Sequence, residues 1–401
     1  MSHSPRLRVL LAAQAAFMLG FSSVVPFIAV LAESRFALGP EVIGAIVGTR
    51  VAVQQGLFLV GGALCDRFGA RLLLMLGCGV RAAGFGVLAT SASPLPFVVG
   101  VVLIGIAGAL FSPAVDAYAA AADADASRGN GARSPFGALQ WAGEAGGILG
   151  AAIGTALMPG AALPVTLVAS ALFLAAMLVL ARMLPRRAAS PADGETSTRN
   201  AIPRPGAVLL LAAGAATLLP SYTQLFSLVP LGLSARALDG GLVGAVSIVL
   251  SSAVLALHWP LARLRARLGR PRAVAAGVAA ALVAAVSGAV SAEAESTLAF
   301  AAATAVSTLG IAVSLLLAAP AAQSLIAAAG APLRRATRLG AFATTGGLLA
   351  LAASGLCGVV AGSAGLTAAW VLAAVVPLAG LACALAAIRP LSRLTPERTN
   401  P

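Results

Sequence analysis

Twelve apolar runs, each about twenty residues long, are the feature that most limits what this chain can fold into. Runs of that length can cross the hydrocarbon core of a bilayer as helices, whereas helices of water-soluble domains seldom contain them. The chain has 60% hydrophobic and only 10% charged residues, which also sets it apart from ordinary soluble domains. We therefore predict an all-α integral membrane protein with twelve transmembrane helices.

Glycine, proline and charged residues separate the runs and set the expected helix limits. In chain order, the predicted segments one to twelve are 9–32, 41–63, 72–91, 96–120, 135–158, 163–184, 207–230, 242–262, 273–292, 297–320, 339–362 and 366–388. The longest polar stretch, 185–206, lies between the sixth and seventh segments and is rich in proline, serine, threonine and arginine. We expect a six-helix bundle in 1–184, a cytoplasmic linker in 185–206, and a second six-helix bundle with a short cytoplasmic tail in 207–401.

The arginines predict the orientation of the chain. All 26 cationic residues are arginine, against 13 acidic residues, and all but Arg35, Arg50, Arg81 and Arg236 fall on one side of the predicted membrane. Positively charged loops face the cytoplasm, so both termini are expected there. This arrangement explains the basic charge without nucleic acid as a partner. The lipid bilayer is the expected environment, and a bacterial inner membrane is the expected location.

The two halves of the chain carry a weak internal repeat. Placing Gly69 over Gly269 aligns "ALCDRFGAR" (63–71) with "RLRARLGRP" (263–271), each in the loop after the second segment of its half. Parallel repeats of six-helix halves are the construction principle of one large class of secondary transporters. We therefore expect the two bundles to be pseudo-symmetric.

The stretch "GGALCDRFGAR" resembles the signature of the major facilitator superfamily between its second and third helices. Across residues 46–88, "TRVAVQQGLFLVGGALCDRFGARLLL" and the following "VRAAGF" look like the MdtH-type multidrug-resistance branch. This resemblance implies a fold of two six-helix bundles and a transport function.

The resemblance also implies a conformational latch at the cytoplasmic face. Its residues here are Gly62, Asp66, Arg67, Gly69 and Arg71. One departure is Ala70, where many members have a basic residue, so Arg71 alone is expected to reach an acidic residue at the end of the fourth segment. The two candidates for that acid are Asp123 and Asp125.

Charged residues within the apolar segments are costly, and they are therefore our candidates for substrate and proton binding. At 1.5 Å per residue, Arg50, Arg81 and Glu144 each lie roughly 14 Å from one end of their segments, near the middle of the bilayer. Asp116 is closer to the cytoplasmic surface. We expect Glu144 to exchange protons, while Arg50 and Arg81 either bind an anionic group of the substrate or hold Glu144 ionised in a salt bridge.

The fifth segment contains "GEAGGILGAAIG", in which Gly146, Gly150 and Gly154 recur every four residues. This spacing forms a stripe of small residues that lets another helix pack closely. The stripe resembles the glycine-rich motif of the fifth helix in exporters of the superfamily, although the usual Gly-Pro step is absent. Export is favoured on this ground, with close helix packing alone as the alternative.

No other motif indicates chemistry. The sequence lacks a phosphate-binding P-loop, paired metal ligands and a catalytic triad, so we expect no cofactor, no metal site and no enzyme activity. We predict a monomeric transporter that exports small organic molecules against proton influx, with protonation of Glu144, and of Asp116 with it, coupled to closure of one face. The alternatives are an uptake permease for an anionic metabolite, with Arg50 and Arg81 as its carboxylate ligands, and a dedicated exporter of an endogenous siderophore or antibiotic.

Overall fold

A computed structural model of the chain describes residues 5–127, 135–183, 205–328 and 335–392. Over these ranges the fold contains fourteen α-helices, two 3-10 turns and no strand. The helices are α1 (Pro5–Ser22), α2 (Ile28–Phe36), α3 (Pro40–Gly56), α4 (Phe58–Phe68), α5 (Ala70–Thr90), α6 (Pro94–Ser127), α7 (Pro135–Met183), α8 (Pro205–Ala216), α9 (Leu218–Ser234), α10 (Val243–Leu268), α11 (Arg270–Glu293), α12 (Thr297–Ala328), α13 (Arg335–Ala364) and α14 (Leu366–Ser392).

The predicted helical segments are all present. Within the described ranges, eleven helical stretches are long and apolar enough to cross a membrane. The remaining segment is the first part of α7, which continues into the sixth segment through a kink at the non-helical Ala161. Three segments are interrupted, so that α1 and α2, α3 and α4, and α8 and α9 each form one crossing.

The two bundles, α1–α7 and α8–α14, repeat the same backbone turns at an offset of 200 residues. Ala37 and Ala237 both adopt a left-handed backbone with φ of 50° at the end of the first crossing of their bundle. Gly69 and Gly269 have φ of 88° and 74° at the end of the second crossing. The alignment of Gly69 with Gly269 therefore corresponds to equivalent turns. We name the two faces of the fold the Ala37 end and the Gly69 end.

The bundles meet along a continuous seam between α3–α4 and α13. Its close pairs, starting from the Ala37 end, are Glu41 with Gly358, Gly44 with Ser354, Gly48 with Leu351, Ala52 with Gly347, and Leu59 with Gly340. Glycine recurs on both sides of this seam because the helix backbones approach too closely for side chains between them. The seam holds one helix pair of the two bundles in contact from one end to the other.

Further contacts join the bundles at the Ala37 end. The Ser234 hydroxyl donates a hydrogen bond to the Glu33 carboxylate, and Gly240 packs against Val30. A Cβ added to Gly244 on α10 would lie 2.8 Å from the Ala151 carbonyl oxygen on α7. The Ala37 ends of the two bundles are thus packed against each other in this conformation.

We expect substitution of Gly48 by alanine to weaken the seam. The added Cβ would lie 2.8 Å from Leu351 Cα, so one backbone must move, and overpacking of this kind costs about 1–3 kcal/mol of stability. The matched control is Gly355→Ala on α13, where an added Cβ meets no atom within 4 Å. Thermal unfolding in detergent should show a lower midpoint for Gly48→Ala and an unchanged or higher midpoint for Gly355→Ala. Equal midpoints would contradict close packing at Gly48.

Candidate functional site

A cavity of about 360 Å³ lies between the two bundles. Its walls are mostly apolar, and the polar side chains that line it are Ser22, Arg50, Glu144, Tyr222, Ser247 and Ser251. The first three belong to the first bundle and the other three to the second. Ligand sites commonly combine an apolar wall with a few polar groups in this way, so the cavity is the candidate substrate site.

Glu144 reaches the cavity from the first part of α7 and interacts with the opposite bundle. The Ser251 side chain on α10 lies close enough to interact with this carboxylate. Gly147, one turn further along α7, gives these helices room, since a Cβ built on it would lie 3.4 Å from the Ser251 hydroxyl oxygen. The acidic side chain of the cavity therefore faces a hydroxyl group of the opposite bundle.

Arg50 lines the cavity from α3 and is only 7% exposed. Its Nη1 is 3.4 Å from Gln54 Oε1, which is a long hydrogen bond, and its guanidinium carbon lies 5.9 Å from the centre of the Phe21 ring. No ion pair joins Arg50 to a carboxylate in the described part of the chain. The anticipated salt bridge between Arg50 and Glu144 is therefore not formed in this structure.

Arg81 on α5 lies behind the cavity wall and does not line the cavity. Its guanidinium carbon lies 5.1, 5.8 and 5.5 Å from the ring centres of Phe21, Phe111 and Phe173. Nη2 donates a hydrogen bond of 3.4 Å to the Ile104 carbonyl oxygen, and Nε has no hydrogen-bond partner among the described residues. Attraction to the ring faces offsets part of the cost of burying this cation.

Arg81 therefore does not line the cavity in this conformation, and its binding of the substrate stays a prediction. The ring of Phe21 is a lining residue of the cavity, and the same ring contacts Arg81. This ring separates the arginine from the cavity. The expected salt bridge of Arg81 with Glu144 is likewise not formed between these described side chains.

The remaining polar residues of the membrane segments differ in their surroundings. Tyr222 lines the cavity, whereas the Gln224 amide donates a hydrogen bond to the Pro220 carbonyl oxygen on its own helix. Asp116 lies on α6, but its side chain is outside the described residues. The same applies to the side chains of Asp123 and Asp125, the candidate partners of Arg71.

The residues of the implied latch lie at the Gly69 end. Asp66 and Arg67 are exposed, and Arg67 packs over the Phe68 ring beside it. Arg71 donates a hydrogen bond to the Ala181 carbonyl oxygen near the end of α7, which belongs to the same bundle. Among the described residues, the latch therefore makes no bond to the second bundle in this conformation.

The glycines of this region have different roles. Gly61 packs against the backbone of Ala109 on α6, whereas Gly62 has open space where a side chain would be. Gly69 ends α4 with φ of 88° and ψ of 146°, a conformation that is essentially restricted to glycine. Gly69 is thus required by the turn, whereas Gly62 makes no close packing contact with the described residues.

The glycine stripe of α7 packs within the first bundle. Gly146 faces the backbone of Ala15, Gly150 that of Leu19, and Gly154 the ring of Phe27. The stripe therefore brings α7 onto the first membrane crossing, which places Glu144 beside the cavity. Its contribution to the site is through the position of α7.

Sequence reasoning missed two side chains that shape the site. Phe21 stands between the two arginines, and Ser251 is the partner of Glu144. Neither belongs to a motif, and both follow from packing between segments that are distant in the chain. The one sequence signal for this region was the predicted position of Arg50, Arg81 and Glu144 near the middle of the bilayer.

Comparison with known proteins gives a consistent result. The family model described as Major Facilitator Superfamily matches residues 10–319. The multidrug resistance protein MdtH of Aeromonas hydrophila is 41% identical over 95 residues, 24% of each chain. That of Yersinia pestis is 34% identical over 140 residues, 35% of this chain and 34% of the relative. An uncharacterised transporter of the superfamily from Mycobacterium tuberculosis is 39% identical over 114 residues, covering 28% and 27%.

These matches span only about a quarter to a third of the curated relatives, and they confirm the resemblance to the MdtH-type branch. Solved structures show the same fold over nearly the whole chain. A POT peptide transporter has a TM-score of 0.78 at 13% identity, covering 98% of this chain and 96% of its own. The nucleoside transporter NupG has a TM-score of 0.75 at 13% identity, covering 96% and 99%.

We expect Gly69→Ala to strain the turn at the latch. A side chain at this φ and ψ costs about 1–3 kcal/mol of stability, and the equivalent Gly269→Ala should behave alike. Gly62→Ala is the control, since it lies in a regular helix with no atom within 4 Å of the added Cβ. Thermal unfolding in detergent should show lower midpoints for Gly69→Ala and Gly269→Ala only. A comparable decrease for Gly62→Ala would show that the turn conformation is not the cause.

Proposed function

The chain belongs to the Major Facilitator Superfamily, and we propose that it is a proton-coupled transporter that exports small organic molecules, drugs or metabolites, by alternating access. The substrate occupies the cavity between the bundles, where secondary transporters place substrate and coupling-ion sites. Similarity to two MdtH multidrug resistance proteins supports export as the direction.

The observation that carries proton coupling is the position of Glu144 in the cavity, facing Ser251 of the opposite bundle. Glu144 is the one carboxylate that lines the described cavity. Protonation removes its charge and so weakens its attraction to the Ser251 hydroxyl. An ion that changes a contact made in only one conformation shifts the equilibrium between conformations. Glu144 is thus the proposed proton site, with Asp116 as a further candidate.

The latch residues fit the same cycle. Asp66 and Arg67 are exposed at the Gly69 end while the Ala37 ends of the bundles are packed together. In the proposed cycle, Asp66, Arg67 and Arg71 engage the second bundle when the Gly69 end closes. We assign the Gly69 end to the cytoplasm of a bacterial inner membrane, because the loop arginines lie on that side. Both termini and the linker 185–206 between the bundles 1–184 and 207–401 are then cytoplasmic, and the protein functions as a monomer.

One observation favours a second candidate function, an uptake permease for an anionic metabolite. Arg50 and Arg81 are buried at the cavity, and within the described residues neither is paired with a carboxylate. Two cations opposite one acid suit a substrate with a negative charge. The direction of transport relative to the proton gradient separates this candidate from export.

We expect Glu144→Gln to uncouple transport from protons. The protein is reconstituted in liposomes with a pH-sensitive dye inside, and cationic drugs, carboxylates and siderophores are screened for compounds that move protons. A substrate should move protons through the unaltered protein, while the signal of Glu144→Gln should fall to that of empty liposomes. Glu295→Gln, which removes an exposed carboxylate away from the cavity, is the control and should keep the signal.

The same assay tests direction. Export predicts substrate movement opposite to the proton gradient and its collapse with a protonophore. Accumulation of a substrate along with protons would favour the uptake permease. Transport that continues without any proton gradient, or normal proton movement in Glu144→Gln, would refute the proposed coupling.

A further inference from the structure

We propose that the transported molecule is an organic monoanion, a carboxylate with an apolar body, whose acidic group binds Arg50 against the Phe21 ring. The inference rests on the proposed function only in taking the cavity between the bundles as the substrate site. It adds the chemical class of the substrate and a residue that selects it. The evidence is the environment of the two buried arginines.

Arg50 has donor groups that the protein leaves largely unused. A guanidinium group has five N–H donors in a fixed planar arrangement, and among the described residues the one hydrogen bond of Arg50 is the long contact of 3.4 Å with Gln54. The side chain is 7% exposed and lines the cavity, so its other donors are accessible to a ligand there. A carboxylate can accept two of these donors at once, in charge-assisted hydrogen bonds.

The charges around the cavity set the charge of the ligand. Arg50 and Glu144 line the cavity, and Arg81 lies directly behind Phe21, so these described side chains sum to one positive charge when Glu144 is ionised. A net charge within a membrane protein is unfavourable. A monoanion neutralises it, whereas a cation adds to it and a dianion reverses it. Outward movement of an anion is also favoured by an inside-negative membrane potential.

Phe21 is the residue that determines this selectivity. Its ring contacts both guanidinium groups, with distances from the ring centre of 5.9 Å for Arg50 and 5.1 Å for Arg81. Because the ring lines the cavity and Arg81 does not, it keeps the second arginine from the ligand. One arginine is then available for a direct bond, which suits one acidic group. Without the ring, a second acidic group could reach Arg81.

The rest of the cavity suits an apolar body. Facing Arg50 and Phe21 are Phe226, Leu250 and Leu315 of the second bundle, and the volume of about 360 Å³ is at the small end for ligand sites. A compact aromatic or aliphatic carboxylate satisfies both the arginine and these walls. Naphthoate is a suitable probe, with its neutral amide and the cationic naphthylmethylammonium as analogues of the same ring.

The test is calorimetric titration of the full-length protein in detergent with these three compounds. Naphthoate should bind most tightly and the cation least. Arg50→Gln should weaken naphthoate binding by about tenfold or more and leave the amide unchanged, since only the carboxylate loses a charge-assisted bond. Arg267→Gln, which replaces an exposed arginine in the last turn of α10, is the control for net charge and should bind like the unaltered protein.

Two further variants keep the inference testable. If Arg50→Gln does not fold, Arg50→Lys should keep the preference for naphthoate over the amide with weaker binding, since it retains the charge without the planar donor pair. Phe21→Ala should improve binding of naphthalenedicarboxylate about tenfold relative to naphthoate, whereas Phe21→Leu, which retains most of the apolar bulk, should not.

Several results would overturn the inference. These are equal affinity for the three probes, no binding of naphthoate, or tighter binding of the cation. An equal loss of affinity for naphthoate and for the amide in Arg50→Gln would also overturn it. Unchanged selectivity in Phe21→Ala would remove Phe21 from the proposal. Titration in detergent needs no proton gradient and no direction of transport. Loss of proton coupling in liposomes would therefore leave the binding of naphthoate unaffected. Failure of naphthoate to bind would likewise leave proton coupling in liposomes unaffected.

Discussion

A bilayer core offers no water to backbone amides, and this constraint governs the rest of the structure. The described residues satisfy it with helices, and two of the helix interruptions occur where protein covers the backbone. Val24 and Phe27 are fully buried at the interruption between α1 and α2, where the Ser23 hydroxyl bonds the Gly20 carbonyl oxygen. Between α8 and α9, the Thr217 hydroxyl bonds the Gly214 carbonyl oxygen in the same way. Both interruptions adjoin residues that line the cavity, so these two breaks lie beside the site.

The same lack of water explains the aromatic cluster around Arg81. Phe17 packs edge-on against Phe111 at 4.6 Å and stacks on Phe173 at 5.1 Å, so the rings that face the guanidinium are themselves held in position. A charge kept inside apolar surroundings at this cost is better explained by function than by stability, because an apolar side chain would fill the space without the penalty. This packing also links Arg81 to the cavity, since Phe21 is both a partner of the charge and part of the wall.

The limits of the helices, the turn at Gly69 and the depth of Arg50, Arg81 and Glu144 were predictable from the sequence, because each follows from local composition and helix geometry. The partners of these residues were not. The ring of Phe21 on α1 lies against Arg81 on α5, and Glu144 meets Ser251 across the two bundles. Such contacts depend on which face each helix turns toward its neighbours. A run that is apolar on every face does not determine that orientation. Arg50 and Glu144 both line the cavity, yet no salt bridge joins Glu144 to Arg50 or Arg81 among the described side chains, because similar depth alone does not determine which side chains bond.

The internal repeat makes the distribution of charge informative. Between the equivalent turns at Ala37 and Ala237, and at Gly69 and Gly269, the 200-residue offset pairs Arg50 with Leu250, and both line the cavity. The same offset pairs Arg81 with Ala281 and Asp66 with Ala266. At these three pairs of equivalent positions, the first bundle carries a charged side chain and the second an apolar one. If transport occurs as proposed, the first bundle binds the proton and the acidic group of the substrate. The second bundle provides the apolar wall and the hydroxyl of Ser251. Coupling then depends on the protonation of Glu144, because this is the carboxylate that faces the second bundle within the described cavity.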